Sequence, residues 1–272
     1  VIEFEDVGVS GNQRSVARSL EALGSGSELY DIVVGLSEEQ ARQAFDIFSG
    51  EIHASALTSI MQDSSLIRDV TTDRLRVAKE AAGFSIWAST YGTSADWDES
   101  SANTTADLES SSTGFVFGAD LPVFENVRVG ALLGFADGEV EAQDRRSEAD
   151  VETVHFGAYA DWDASEAITV RAGLLNSWND LETDRAVAIS GFNSYSDRLT
   201  ASYSADVFQL FAEAGYAFEF GALNVEPSVG LAYASLDAEE VTESGGSARL
   251  SSAGSDMETT FSTVAARADY GF

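Results

Sequence analysis

From residue 83 to residue 272, apolar and polar residues alternate along the chain. In the clearest segment, Phe208, Leu210 and Ala212 fall on one side, and Gln209 and Glu213 fall on the other. Successive side chains of a strand point to opposite faces, so this alternation predicts a strand with one apolar face. Eight such strands are predicted, near residues 83–93, 108–122, 127–140, 149–163, 167–181, 200–220, 222–238 and 257–272.

The predicted strands and their connections favour a transmembrane barrel. Most of the strands exceed the roughly 5–6 residues usual in soluble sheets, and a strand that crosses a membrane needs roughly 9–11. Tight turns, such as 124–126 and 163–166, alternate with long acidic connections, as in outer-membrane barrels. An aromatic girdle is expected near strand ends, where the chain places Trp87, Trp97, Trp162 and Trp178. The expected fold class is an all-β, antiparallel, up-and-down transmembrane barrel, although a soluble sandwich alternates in the same way.

The first 82 residues have a helical pattern instead. Val16, Leu20 and Leu23 recur at helical spacing. Ser37, with Gln40 three residues later, predicts a capped helix that ends near residue 48. A longer helix is predicted from residue 51 to about residue 82. Its apolar stripe is modest and its other faces are polar, so it is either an ordinary surface helix or a helix housed in a polar enclosure.

Composition narrows the functional classes. The chain carries 46 acidic and 15 basic residues, a formal charge of −31, and such a surface repels nucleic acid. It contains no cysteine, which excludes disulfides, thiolate metal sites and a cysteine nucleophile. No P-loop motif occurs, and no cofactor is predicted. No uninterrupted apolar run reaches the roughly 18 residues that a membrane helix needs.

Several segments resemble the translocator domain of bacterial autotransporters. The run Ser49–Ser55, which reads Ser-Gly-Glu-Ile-His-Ala-Ser, is similar to the linker of that family, and residues 62–68 are similar to its helix. Residues 86–92 and 112–120 resemble its first two strands. The resemblance covers nearly the whole chain.

The resemblance implies a function in type V secretion, in the outer membrane of a Gram-negative bacterium. Residues 1–50 would be a helical linker from a passenger domain, residues 51–82 a pore-spanning helix, and residues 83–272 part of the β-barrel. The passenger would be exported and anchored at the cell surface. The implied partners are this passenger, the barrel assembly machinery, periplasmic chaperones, and the lipid and lipopolysaccharide of the outer membrane, with no nucleic acid.

The resemblance implies a twelve-stranded barrel, four strands more than the eight predicted here. We therefore expect the chain to be a fragment that lacks roughly the last third of the barrel. The alternative is a natural eight-stranded barrel that ends at Phe272. Eight strands, however, enclose a space that their own side chains fill, and a helix about 10–12 Å across does not fit there.

The predicted site is the contact between the pore helix and the inner wall of the barrel. The helix carries four basic residues, which are expected to dock on wall carboxylates such as Glu213 and Glu226, because screening in a confined pore is weak. These basic residues are Arg68, Arg74, Arg76 and Lys79. The alternative interpretation is a solvated charged face.

Two other functions remain open. The first is a passive porin or structural barrel. The second is an outer-membrane protease or lipid hydrolase, in which a Ser-His-Asp site would have to use His53 or His155. No Gly-x-Ser-x-Gly elbow occurs, and we interpret His155 as a polar residue of the lumen. The acidic residues from Asp137 to Asp144 lack the spacing of an EF-hand calcium loop. No catalytic, metal-binding or cofactor-binding residue is therefore predicted.

Overall fold

The computed structural model describes residues 3–78, 83–97, 106–189 and 194–270. Helices come first and strands follow, as predicted. The helices are α1 Phe4–Val7, α2 Gly11–Leu23, α3 Glu28–Val34, α4 Glu38–Phe48 and α5 Glu51–Ala78. The strands are β1 Ser85–Trp97, β2 Leu108–Phe124, β3 Val127–Ala142, β4 Ser147–Asp163, β5 Ile168–Ile189, β6 Tyr195–Tyr216, β7 Phe218–Phe220, β8 Leu223–Ala238, β9 Val241–Thr242, β10 Ser251–Ser252 and β11 Ser255–Tyr270.

The long strands form one antiparallel, up-and-down sheet. Its order is β1-β2-β3-β4-β5-β6-β8-β11, with the short β7 beside β8, while β9 and β10 form a separate hairpin in the β8–β11 connection. Over the described ranges, β1 and β11 each pair with one neighbour, so these eight long strands do not close on themselves. The sheet instead curves around α5, which contacts β1 to β6 and β8. The fold is thus half of a barrel wall with a helix against its inner face.

The two faces of the sheet have opposite character. On β6, Phe208 and Leu210 are 43% and 55% exposed, whereas Gln209 and Glu213 are 0% and 8% exposed. A soluble sandwich buries its apolar face. Here the apolar face is outside and the polar face is inside, as expected of a wall between hydrocarbon and a wet lumen.

Only two of the four tryptophans lie where a lipid-facing girdle needs them. Trp162 and Trp178 are exposed on the outer face. Trp87 is buried, and its indole Nε1 donates a hydrogen bond to the Tyr159 hydroxyl over 2.6 Å. Trp97, at the end of β1, is 39% exposed and lines a cavity beside α5. The sequence interpretation was wrong for Trp87, because odd-numbered residues in the first part of β1 point toward the helix.

The strands extend further than the alternation predicts. β5 and β6 contain 22 residues each and stay paired up to Ile189 and Tyr195. The predicted long connection between them was wrong, because its acidic residues are paired across strands. The β3–β4 connection is also short, a 3₁₀ helix at Gln143–Arg145, and Glu141 pairs with Glu148 across it.

Helices α1 to α4 rest on the far ends of β5 and β6. The predicted capping box of α4 is present, with the Gln40 N–H donating to the Ser37 hydroxyl and the Ser37 N–H donating to the Gln40 side chain. A strand crosses the membrane in roughly 9–11 residues. Because β5 and β6 contain 22 residues each, about half of each strand extends beyond the membrane and contacts these helices. The shared core consists of Ala17, Leu20, Leu29, Ile32, Val33, Ala41, Ala44, Phe45, Phe48, Val187, Ile189, Tyr195, Leu199 and Ala248.

Gly50 makes the turn from α4 into α5 possible. Its φ of +62° lies in the left-handed region, and a Cβ at this position would collide with the Leu250 side chain. Replacing Gly50 by Ala is therefore expected to lower the free energy of unfolding by about 1–3 kcal/mol. Urea unfolding in detergent micelles, followed by tryptophan fluorescence, measures the change. The control is Gly35→Ala, where φ is −83°, and an equal loss in both variants would contradict this explanation.

None of the helices in the described ranges has both the length and the hydropathy that a membrane-crossing helix requires.

Candidate functional site

The inner face of the sheet and helix α5 form the candidate site. At the first end of the helix, Glu51 accepts a hydrogen bond of 3.1 Å from the N–H of Ala106, just before β2. At the other end, the Arg74 guanidinium donates to Ser85 and Asp120, near the tight β2–β3 turn. The helix therefore runs from the long-connection end of the sheet to its tight-turn end.

The N-terminal half of α5 packs mainly on small apolar side chains of the wall. The helix contributes Ile52, Ala56, Leu57, Ile60 and Met61. The wall contributes Ala106, Val140, Ala142, Ala149, Val151, Leu181, Ala201, Tyr203, Ala205, Val207, Ala234, Leu236, Ala238 and Val241. The many alanines leave room for the helix to approach the sheet closely.

A charged cluster around Arg171, here called the Arg171 cluster, joins the C-terminal half of α5 to β4, β5, β6 and β8. Arg171 is 1% exposed. Its Nη1 lies 3.0 Å from Glu213 and 2.7 Å from Glu226, and its Nε lies 3.5 Å from Asp161. Arg76 of α5 reaches Glu213 at 2.5 Å. The sheet register builds the cluster, because Arg171 is paired directly with Asp161 on one side and with Glu213 on the other.

A second cluster, the Asp120 cluster, lies on the other side of α5. Asp120 is fully buried. Its carboxylate accepts hydrogen bonds from Arg74 at 2.8 and 3.1 Å, from Arg128 at 2.6 Å and from the Tyr159 hydroxyl at 3.3 Å. Each of its oxygens thus has a charged donor, an arrangement that keeps a buried carboxylate ionised and in place.

The basic residues predicted for the site have different surroundings. The structure brings Arg76 to Glu213, whereas Arg74 bonds to Asp120, which the sequence analysis did not name. Glu226 lies 2.7 Å from Arg171 of the wall, so it belongs to the Arg171 cluster.

Arg68 has no acidic partner within hydrogen-bond distance among the contacts that the described residues make. Its Nη1 donates to the Gln209 side chain over 2.8 Å, and its guanidinium lies 4.9 Å from the centre of the Phe261 ring. The Gln209 amide in turn donates to the carbonyl of Ser64 over 2.8 Å. Lys79 lies outside the described residues.

A third cluster, the Glu243 cluster, closes the long-connection end of the sheet. Glu243 accepts hydrogen bonds from Arg185 at 2.9 and 2.7 Å and lies 3.0 Å from the His53 Nε2 at the start of α5. Burial raises the pKa of the Glu243 carboxyl, but hydrogen bonds from His53 and Arg185 and the charge of Arg185 outweigh it and lower the pKa to about 2. The cluster therefore ties the β8–β11 connection to both β5 and α5.

Neither histidine has the neighbours of a serine hydrolase. The His155 ring bonds to Ser177 through Nδ1 at 2.7 Å, where a catalytic triad has a carboxylate, and to the Tyr91 hydroxyl through Nε2 at 2.6 Å, where a triad has the serine. His53 bonds to Glu243 and Tyr203. Across the described ranges, no group of three or more His, Asp or Glu side chains is arranged to hold a metal ion.

Asp120, Arg185 and Glu243 were not predicted from the sequence. A signal for Asp120 was available, since it falls on the same face of β2 as Val116 and Gly118, opposite the lipid-facing phenylalanines. No comparable signal marks Glu243, because the β8–β11 connection lacks alternation.

Comparisons with known proteins agree with this architecture. A family model described as the autotransporter beta-domain matches residues 86–272. Two proteins of Serratia marcescens, both named extracellular serine protease, are 30% identical to this chain over 269 and 255 residues. The matches cover 95% and 90% of this chain but 25% and 24% of the relatives, so the chain spans about a quarter of their length.

A solved structure shares the fold. The translocator domain of the autotransporter NalP from Neisseria meningitidis superposes with a TM-score of 0.65 at 17% identity, over 79% of this chain and 71% of that domain. From the family match, which covers most of the sheet, the chain belongs to the autotransporter beta-domain family and is an outer-membrane translocator domain.

Proposed function

We propose that this domain exports a passenger joined to its N-terminal side and then keeps α5 inside the barrel as a plug. The observation that carries the proposal is the pair of arginines near the end of α5. Arg74 bonds to the β2–β4 part of the wall and Arg76 bonds to the β5–β8 part. A helix that is bonded to the wall on two sides leaves little space for solute. The arginines that retain α5 would therefore also keep the pore closed.

The direction of export follows from the direction of α5. In outer-membrane barrels, tight turns face the periplasm and longer connections face outward. The first residues of α5 lie at the long-connection end, beside Ala106 and Glu243. Segments that precede α5 would therefore emerge at the cell surface, where α1 to α4 rest on the projecting ends of β5 and β6.

Assembly requires partners that protect the outer face of the sheet. Its exposed apolar side chains would associate in water, because large apolar patches promote aggregation. We infer that periplasmic chaperones cover this face in transit and that the barrel assembly machinery inserts it. Outer-membrane lipid and lipopolysaccharide then replace those partners.

We propose that this domain has no catalytic step of its own. The relatives are named serine proteases, but they are about four times as long as the segment matched here, and both histidines of this chain have structural partners. A peptidase and esterase assay on the purified domain tests the proposal. Turnover above a heat-denatured control would contradict it.

Reversing the four basic residues of the helix tests the plug. In the variant R68E/R74E/R76E/K79E, new carboxylates would face Asp120 and Glu213, and like-charge repulsion should displace α5. The full-length protein in planar lipid bilayers is then expected to show a larger open fraction and larger single-channel conductance. The control R18E/R198E reverses two exposed arginines away from the site. An unchanged closed fraction in the fourfold variant would count against a plug.

A further inference from the structure

We propose that Asp120 is a positioning residue that fixes the register of α5, both along the barrel axis and in rotation. This inference rests on the plug function proposed above. The Asp120 carboxylate is buried on the inner face of β2 and receives a two-pronged bond from Arg74. Such fork-like pairs fix orientation as well as distance.

The wall holds Asp120 in place independently of the helix. Arg128 of β3 donates to one carboxylate oxygen at 2.6 Å, and the Tyr159 hydroxyl of β4 donates to the other at 3.3 Å. Trp87 of β1 donates to Tyr159 in turn. Residues of four neighbouring strands therefore hold the Asp120 carboxylate in place. Each carboxylate oxygen can still accept a hydrogen bond from α5, and Arg74 donates to both.

Only one axial position of α5 satisfies this acceptor. A slip by one helical turn moves the helix by about 5.4 Å. It would bring Val70 or Ala78 to the place of Arg74, and neither side chain can donate a hydrogen bond. Asp120 would then keep Arg128 and lose its other charged donor.

Rotation is fixed because a second contact lies on the opposite side of the helix. Arg76 follows Arg74 by two residues, which corresponds to a turn of about 200°. Arg76 bonds to Glu213 across the lumen at 2.5 Å. Any rotation that relaxes one arginine therefore moves the other away from its carboxylate.

Disulfide trapping measures the register directly. The chain has no native cysteine, and the hydroxyls of Ser59 and Ser110 lie 2.7 Å apart between α5 and β2. Cysteines at these two positions should form a disulfide in the full-length protein only when the helix is in the observed register. Adding Asp120→Asn is expected to lower the disulfide yield at early times by about tenfold, the effect of losing one charged hydrogen bond. Asp120→Glu should restore much of it.

Two further variants keep the result interpretable. Arg74→Gln removes the donor from α5 while Asp120 keeps Arg128, so the wall stays folded and the yield should still fall. Asp137→Asn makes the same chemical change on the outer face of β3 and should leave the yield unchanged. An unchanged yield in both the Asp120→Asn and the Arg74→Gln variants would overturn the register proposal. If the cysteine pair fails to form a disulfide in the parent protein, the plug itself is overturned.

Discussion

Replacing Arg171 by Met is expected to lower the free energy of unfolding by about 3–5 kcal/mol, the largest effect expected of one substitution in this chain. Arg171 lies among Asp161, Glu213 and Glu226 and is almost fully buried. Met fills a similar volume but carries no charge, so these carboxylates would be left without their shared cation. Urea unfolding in detergent micelles, followed by tryptophan fluorescence, gives the difference from the parent protein.

The control for this substitution is Arg198→Met. Arg198 pairs with Asp184 at 2.7 Å, but its side chain is 74% exposed, and exposed pairs contribute about 0–1 kcal/mol. Adding Glu226→Gln to Arg171→Met should recover part of the loss, because it removes one of the negative charges that Arg171 neutralises in the parent protein. Equal losses for Arg171→Met and Arg198→Met would show that burial of the cluster is not the cause.

Replacing Arg185 by Met is expected to destabilise the protein by about 3 kcal/mol and to change its response to pH. The pKa of Glu243 is about 2 in the folded protein and 4.5 ordinarily. The stability that Glu243 contributes is therefore fully present above pH 4.5 and is lost as the pH falls toward 2. Without Arg185, the main cationic partner of Glu243 is gone, so this acid-sensitive contribution should shrink.

Unfolding free energies between pH 7 and pH 2.5 test this prediction. The parent protein should lose stability over the lower part of that range, and Arg185→Met should lose less. Arg198→Met serves again as the control, since the surface pair of Arg198 and Asp184 does not involve Glu243. A profile of Arg185→Met that parallels the parent would contradict the assigned role of the Glu243 cluster.

Much of the fold could be predicted from residue order alone. Alternation along β6 separates Phe208 and Leu210 from Gln209 and Glu213, and the structure places these pairs outside and inside. The cap of α4 was equally readable, because Ser37 and Gln40 interact locally. Such features depend only on residues within a few positions of each other, so they can be read from the sequence.

Partners across the sheet could not be predicted in this way. Which cation meets Glu226 depends on the strand register, and a shift of one residue turns every side chain of a strand to the other face. Arg74 bonds to Asp120, a partner that was not predicted because Asp120 lies 46 positions away in sequence. The ends of β5 and β6 were missed for a related reason, since α1 to α4 cover a hairpin that reads as an acidic loop.

The pairing pattern of the sheet also determines the order in which the molecule can assemble. Each long strand pairs with the next long strand of the chain, whereas α5 bonds to residues 46, 137 and 190 positions away at Asp120, Glu213 and Glu243. Closing a longer stretch of chain costs more entropy, so local hairpins form before distant contacts. We therefore expect the hairpins of the wall to form before the helix is seated, which would leave the inner face of the sheet open to another segment of chain during that interval.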